Sequence, residues 1–180
     1  GKKALEGIGP VLEQALKTFE VPGMAVAVVK GSEVIYLEGF GLRDVEKALP
    51  VTPDTLFAIG SSTKAFTTFT LGTLVQEGKV DWDKPVREYL PGFRMAEDTV
   101  TERLTVRDLV THRSGLPRHD LLWYNNLAIS RAELVRRLKY LPLSADLRQK
   151  FQYNNLMYLT AGYLTEQLTG TPWEEAVSAQ

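Results

Sequence analysis

The sequence predicts an α+β fold in which a mainly helical lobe follows a lobe built on an antiparallel sheet. Two β-rich apolar runs, 24–30 and 33–40, flank a short glycine-serine turn, as expected of a hairpin. Later in the chain, apolar residues recur at helical spacing between capping signals. We therefore expect residues 1–60 to hold an N-terminal helix and the hairpin, and residues 61–180 to form the helical lobe.

The composition is that of a globular protein and argues against several classes of partner. Of 180 residues, 44% are hydrophobic and 24% charged, and 21 Lys and Arg face 22 Asp and Glu for a net charge of −1. Without a run of like charge, the chain has no electrostatic footprint for nucleic acid or an anionic membrane. The longest apolar run, Met24 to Val29, is far too short to span a bilayer. We expect a small-molecule substrate as the partner, with no nucleic acid and no membrane span.

The N-terminal region predicts one helix before the hairpin and turns after it. Apolar residues at helical spacing predict an amphipathic helix over 4–20 that begins or bends near Gly9-Pro10. Residues 42–55 carry breakers and predict turns. The first residues, Gly1-Lys2-Lys3, lack an initiator methionine and an apolar stretch. A trimmed terminus or a removed signal peptide fits this start, so the sequence leaves a cytoplasmic and a periplasmic or secreted location open.

A serine and a lysine stand at the start of the longest predicted helix. A short apolar run over 56–59 and a glycine precede this helix, which closes at Gly78. Ser61 and Lys64 are three residues apart, so their Cβ atoms lie on one helix face about 5 to 6 Å from each other. Such a lysine can act as the base for a serine nucleophile. The alternative is that Ser61 caps the helix and Lys64 is solvated, but the apolar residues that follow predict a largely buried helix.

The rest of the sequence predicts helices separated by polar loops. Prolines predict at most one helical turn near residues 85–91, and 141–152 is irregular. Capping patterns and terminal glycines predict the remaining helices: Val106 to His112 after Thr105, Ser130 to about Tyr140, a long helix from Leu156 to Gly170, and another opened by Thr171-Pro172.

Three ordered motifs carry a family resemblance. AIGSSTK, LTVRDLVTHRSGLP and YNNLMYLTAGYLTEQLTG occur in that order and at characteristic distances. Together they resemble the serine β-lactamase-like, penicillin-recognising hydrolases, and within them the branch of class C β-lactamases, esterases and D-aminopeptidases. The resemblance implies the serine β-lactamase/transpeptidase-like fold, with the C-terminal strands of its sheet absent from this chain.

The resemblance also implies site residues. Ser61 is placed as the nucleophile, Lys64 and Tyr153 as groups that move protons, and Asn155 as a substrate-binding residue that also holds Lys64. Whether the lysine or the tyrosine is the formal base stays open. A second Tyr-x-Asn begins at Tyr124 but lacks the helix signature that follows Tyr153.

Two loop residues complete the predicted site. Tyr124 and His119 are candidate substrate-binding residues, because both lie in the polar and aromatic loop over 111–126, which begins inside the second motif. His112 is predicted to be structural. The two histidines and the scattered carboxylates match no metal-ligand pattern, and no cofactor is expected.

One family motif is missing from the sequence. A basic residue, a small residue and a glycine on a late strand normally supply part of the oxyanion hole, whereas Leu168-Thr169-Gly170 has no basic residue and closes a helix. An isolated hairpin is also marginal in water. We therefore expect a further C-terminal segment or a second chain to complete the sheet.

The predicted function is that of a serine hydrolase. It would act through an acyl-enzyme on small esters, amides, D-amino-acid peptides or β-lactams. The alternative is a non-catalytic member of the same fold that binds a ligand or assembles as a scaffold.

Overall fold

The computed structural model describes residues 2–126 and 128–180, and the chain divides into two compact units. The first is Gly1–Ala58 and the second is Ile59–Gln180. The first unit contains the sheet, and the second is helical. The second unit also contains all the residues of the main hydrophobic core, from Leu71 to Leu164.

The N-terminal helix is shorter than predicted. Helix α1 covers Ile8–Thr18, and a separate 3-10 turn covers Lys2–Leu5. Gly7 separates them with φ of 81°, a left-handed conformation that glycine adopts without a side-chain clash. Pro10 lies in the first turn of α1, where a missing N–H costs no helical hydrogen bond. Of the two predicted alternatives, a start near Gly9-Pro10 is therefore confirmed, and the helix ends two residues earlier than predicted.

The predicted hairpin is confirmed and is part of a three-stranded antiparallel sheet. Strand β1, Gly23–Lys30, pairs with β2, Glu33–Asp44, and the register at the turn joins Lys30 to Glu33. A third strand, β3 at Leu49–Pro50, pairs with the far end of β2, in a region that the sequence assigned to turns. Its two residues are too few to show an alternating pattern, and a proline at a sheet edge is compatible with pairing. The strand order is β1-β2-β3.

Helix α2, Thr63–Gln76, begins directly after a 3-10 turn at Gly60–Ser62. Gly78 follows its end with φ of 71°, as the sequence predicts. One face of α2 is buried, through Thr67, Thr70, Leu71 and Leu74. The opposite face is open, because Phe66 is 50% and Phe69 is 60% exposed. The expectation of a largely buried helix is therefore wrong for this second face.

Helix α7, Asn155–Thr169, is the most buried element of the second unit. It packs against α2, and also against the shorter helices around it. Asn154 caps its start by accepting the Met157 N–H at 2.9 Å, and Gly170 ends it with φ of 72°. The Thr169-Gly170 pair therefore closes a helix, as the sequence predicts.

Short helices and loops surround these two long helices. The short helices are α3 at Val86–Tyr89, α4 at Asp98–Arg103, α5 at Val106–Leu109, α6 at Arg131–Arg137 and α8 at Trp173–Ser178. Helix α3 is the short turn between the prolines, and the interval 141–152 contains no helix or strand, both as predicted. The reciprocal capping box of Thr105 and Asp108 is present, but α5 ends three residues before His112. The sequence did not predict α4.

Candidate active site

Ser61 and Lys64 meet where the 3-10 turn runs into α2. The Lys64 Nζ lies 3.1 Å from the Ser61 Oγ, a hydrogen-bond distance. The N-cap of α2 is Ser62, so Ser61 does not serve as the cap of this helix. Ser61 is exposed and Lys64 is half-buried, which leaves the hydroxyl open to a ligand while the amine is held in place. Neither residue fits the alternative in which Ser61 caps and Lys64 is solvated.

Tyr153 reaches the same hydroxyl from the residues just before α7. Its OH donates a hydrogen bond of 2.5 Å to the Ser61 Oγ, across 92 positions of sequence. The hydrogen bond with Lys64, followed by that with Ser61, lowers the pKa of Tyr153 from its ordinary value. The phenolate form can accept hydrogen bonds from both groups, so the tyrosine is chemically suited to take a proton from a neighbouring hydroxyl.

The Lys64 side chain is surrounded by groups that bind cations favourably. The Asn155 Oδ1 accepts a hydrogen bond from Nζ at 2.6 Å. Nζ also lies 4.8 Å from the centre of the Tyr153 ring and 5.2 Å from that of Tyr158. These contacts hold the amine between Ser61 and the start of α7.

His112 supports Tyr153 and the start of α7. Its ring stacks on the Tyr153 ring with centres 4.4 Å apart. Its Nδ1 accepts the Asn154 N–H at 3.0 Å, which requires that nitrogen to be unprotonated. Burial, and then the positive charge of Lys64, lowers the pKa of His112. The neutral imidazole thus orients the tyrosine, in agreement with its predicted structural role.

The two loop candidates take no part in the contacts given above for Ser61, Lys64 and Tyr153. His119 has a left-handed φ of 47°, and its Nε2 is buried without a hydrogen-bond partner among residues 2–126 and 128–180. Tyr124 is 62% exposed, and its ring meets Trp123 edge-on with centres 5.9 Å apart. Their predicted roles in substrate binding remain predictions.

Sequence reasoning missed the neighbours of His119. The Asp120 carboxylate accepts a hydrogen bond from Asn155 Nδ2 at 3.1 Å, and Arg118 lies over the Tyr153 ring at 5.2 Å from its centre. The available signal was their position in the polar and aromatic loop over 111–126. That signal does not discriminate among adjacent residues, because a short loop can turn any of them towards the site.

A cleft of about 500 Å³ opens beside the Ser61 hydroxyl. Its lining includes the polar side chains of Lys64 and Asn155 and the apolar side chains of Trp123, Leu159 and Trp173. A depression of about 560 Å³ in the first unit is lined by Glu13, Lys17, Glu20 and apolar residues, without a hydroxyl side chain. The cleft at Ser61 therefore combines an exposed hydroxyl with both polar and apolar lining, the composition typical of small-molecule sites.

A comparison with protein families matches residues 11–180 to the Beta-lactamase family model. The chain belongs to the beta-lactamase family. This confirms the resemblance carried by the three motifs, and the helical unit with a small antiparallel sheet agrees with the β-lactamase/transpeptidase-like fold.

Relatives within the beta-lactamase family include hydrolases. The chain is 40% identical over 168 residues to the unguisins hydrolase ungD' of Aspergillus campestris, a match that covers 89% of this chain and 31% of that protein. The chain therefore spans about a third of the length of this curated relative.

Solved beta-lactamase-family structures share the fold. The octameric penicillin-binding protein homologue from Pyrococcus abyssi matches 97% of this chain and 41% of its own, with 28% identity and a TM-score of 0.83. The D-amino acid amidase from Ochrobactrum anthropi SV3, complexed with L-phenylalanine, matches 96% of this chain and 47% of its own, with 27% identity and a TM-score of 0.80. Both chains extend well beyond the part that this chain matches.

Two further properties of this beta-lactamase-family chain concern the residues that the structure describes. Within 2–126 and 128–180, no three His, Cys, Asp or Glu side chains come together as a metal site would require. No helix in those ranges is long and apolar enough to cross a membrane.

Proposed function

We propose that this chain carries the acyl-transfer centre of a serine hydrolase. The observation that supports it best is that one exposed hydroxyl, Ser61 Oγ, lies 2.5 Å from the Tyr153 OH and 3.1 Å from the Lys64 Nζ. A serine hydroxyl is a weak nucleophile until a neighbouring group takes its proton. Two groups in this part of the chain are within reach to do so.

In the proposed reaction, Ser61 Oγ attacks the carbonyl carbon of the substrate. The hydroxyl proton passes to Tyr153, whose phenolate form is favoured by the hydrogen bond from Lys64. The same proton then moves to the leaving amine or alcohol as its bond to the acyl carbon breaks. Water attacks the acyl-enzyme, gives up a proton to the tyrosine, and releases the acid while Ser61 regains its hydrogen. Throughout this reaction, Lys64 is proposed to keep Ser61 and Tyr153 in place through its hydrogen bonds.

The proposed substrates are small esters and amides, including D-amino-acid amides and peptides and β-lactams. The lining of the cleft at Ser61 includes Trp123, Leu159 and Trp173, which suits an acyl group with a bulky apolar side chain. The similarity to a D-amino acid amidase at 27% identity supports amides within this group.

A fluorescent phosphonate probe, which labels only activated serines, tests the proposal. We expect the probe to label Ser61 in the wild-type chain, as read by mass spectrometry of the tryptic peptide. Ser61→Ala and Lys64→Ala should abolish labelling with unchanged circular dichroism. Ser62→Ala is the matched control, since the neighbouring exposed serine has no bond to either proton-transfer group, and it should label normally. An unlabelled wild type, or normal labelling of Lys64→Ala, would instead favour a non-catalytic ligand-binding or scaffold protein.

A further inference from the structure

The Asn155 side-chain amide lies between a cation and a carboxylate. Its Oδ1 accepts from the Lys64 Nζ at 2.6 Å, and its Nδ2 donates to the Asp120 Oδ1 at 3.1 Å. The oxygen and nitrogen ends of an amide have nearly the same shape, so sterics alone do not choose between its two orientations. Electrostatics does choose here, because the reverse orientation would point N–H groups at an ammonium and an oxygen at a carboxylate.

Asp120 is itself held by two further donors. Arg118 Nε donates to Oδ2 at 2.6 Å, and the Trp123 indole N–H donates to Oδ1 at 3.3 Å. Burial acts to raise the pKa of the Asp120 carboxyl, but the hydrogen bonds from Asn155 and Arg118 outweigh it and hold that pKa below its ordinary value. The carboxylate is therefore ionised at neutral pH and has a defined direction.

We propose that Asp120 is a positioning residue that keeps the Asn155 amide oxygen facing Lys64, and so keeps Lys64 beside Ser61. This inference rests on the proposed function. Asp120 has no contact with the Ser61 hydroxyl and acts only through Asn155. One N–H of the Asn155 amide donates to the Asp120 carboxylate. The second N–H of that amide is left for a substrate carbonyl.

Loss of the carboxylate would leave the amide free to rotate. In the rotated state its NH₂ group meets the Lys64 ammonium, and the lysine is displaced from the serine. A displacement of about 1 Å in a catalytic group can lower a rate about 100-fold. We therefore expect Asp120→Ala to slow acylation of Ser61 by about 10- to 100-fold. Asp120→Asn keeps an acceptor oxygen and should recover part of that loss.

A double-mutant cycle distinguishes positioning from a general structural role. The rate of phosphonate labelling of Ser61 is measured for the wild type, Asp120→Ala, Asn155→Ala and the double variant. If Asp120 acts through Asn155, Asp120→Ala should not lower the labelling rate any further when Asn155 is already alanine. If Asp120 only stabilises the loop, the full loss persists there, and the proposal is overturned. Asp83→Ala is the matched control, because it removes an exposed carboxylate paired with Arg107 and should leave labelling unchanged.

A second measurement keeps this inference separate from the proposed function. The side-chain amide of Asn155 gives a pair of resonances in a ¹⁵N–¹H spectrum, identified by their loss in Asn155→Ala. In the wild type we expect these two proton shifts to be well separated, because one N–H faces a carboxylate. In Asp120→Ala they should converge and exchange faster with water. Unchanged resonances would overturn the inference even if Ser61 is labelled, whereas an unlabelled wild type with this spectral change would overturn only the proposed function.

Discussion

At the scale of single residues, the candidate site depends on two aromatic side chains as well as on the serine and lysine. Tyr153 contributes its hydroxyl, and its ring is stacked on His112. The sequence offered two Tyr-x-Asn segments, and only the residues after Tyr153 form a long buried helix. The helix signature after Tyr153 therefore identified the tyrosine that contacts Ser61. The stacking of Tyr153 on His112 could not be predicted, because it depends on backbone geometry and not on the spacing of residues in the sequence.

Tyr153→Phe should lower the rate of Ser61 acylation by about 10² to 10⁴. The substitution removes the hydroxyl 2.5 Å from Ser61 Oγ and leaves the ring stacked on His112. The burst phase with a p-nitrophenyl ester measures this rate. Tyr124→Phe is the matched control and should mainly change substrate preference, because Tyr124 is 62% exposed. A larger loss in Tyr124→Phe than in Tyr153→Phe would mean that the assigned motif is wrong.

At the scale of helices and strands, the start of α7 connects the core with the site. Asn154 is fully buried, and its side chain makes three hydrogen bonds: it accepts the Met157 N–H and donates to the Leu116 and Pro117 carbonyls. These bonds join the second and third motifs immediately before Asn155. The cap thus sets where Tyr153 and Asn155 lie relative to the loop.

Asn154→Ala should lower the free energy of unfolding by about 2 to 3 kcal/mol. It removes an N-cap and leaves the carbonyl oxygens of the buried Leu116 and the half-buried Pro117 without this donor. Ser130→Ala is a matched control, because Ser130 caps α6 from an exposed position and should cost only about 1 kcal/mol. Urea unfolding followed by circular dichroism gives both values. Equal losses would show that the bonds from Asn154 to the loop add nothing to its capping role.

Sequence patterns predicted helices with strong caps far better than contacts between distant segments. The Thr105–Asp108 capping box and the glycine after α7 were read directly, since these signals are local. Strand β3 was missed because two residues are too few to show the alternating pattern of a strand. Its formation depends instead on pairing with β2. The apolar residues of α2 likewise predicted burial of the whole helix, whereas the face with Phe66 and Phe69 is exposed.

At the scale of the whole molecule, the second unit is held together by one buried carboxylate as well as by its apolar core. Asp108 is fully buried and accepts hydrogen bonds from Thr105, Arg113 and Arg148. Arg148 also donates to the Arg103 carbonyl. The network ties α5, the loop after it and the irregular interval 141–152 to one another. Such an interval needs a specific anchor, because it has no helical or strand hydrogen bonding of its own.

Asp108→Asn should lower the free energy of unfolding at pH 7 by about 3 kcal/mol. The substitution keeps the shape of the side chain and leaves Arg113 and Arg148 without their counter-charge. The value lies at the low end for a buried pair, because these arginines are 36% and 39% exposed. Asp83→Asn breaks an exposed ion pair with Arg107 and is the control, which should change the urea midpoint little.

The loss in Asp108→Asn should also depend on pH in a defined direction. Burial acts to raise the pKa of Asp108, but hydrogen bonds from Arg148, Thr105 and Arg113 outweigh it and lower that pKa. In the unfolded chain an aspartate titrates near pH 3.9, so the folded state resists a proton that the unfolded state takes up. The stabilisation is then complete above about pH 5 and declines as the pH falls through 4 towards the folded pKa. Urea unfolding of the wild type and Asp108→Asn at pH 7, 5 and 3 measures the difference in their free energy of unfolding. This difference should be the same at pH 7 and pH 5 and smaller at pH 3. A difference that grows on acidification would show that the buried aspartate is protonated in the folded protein.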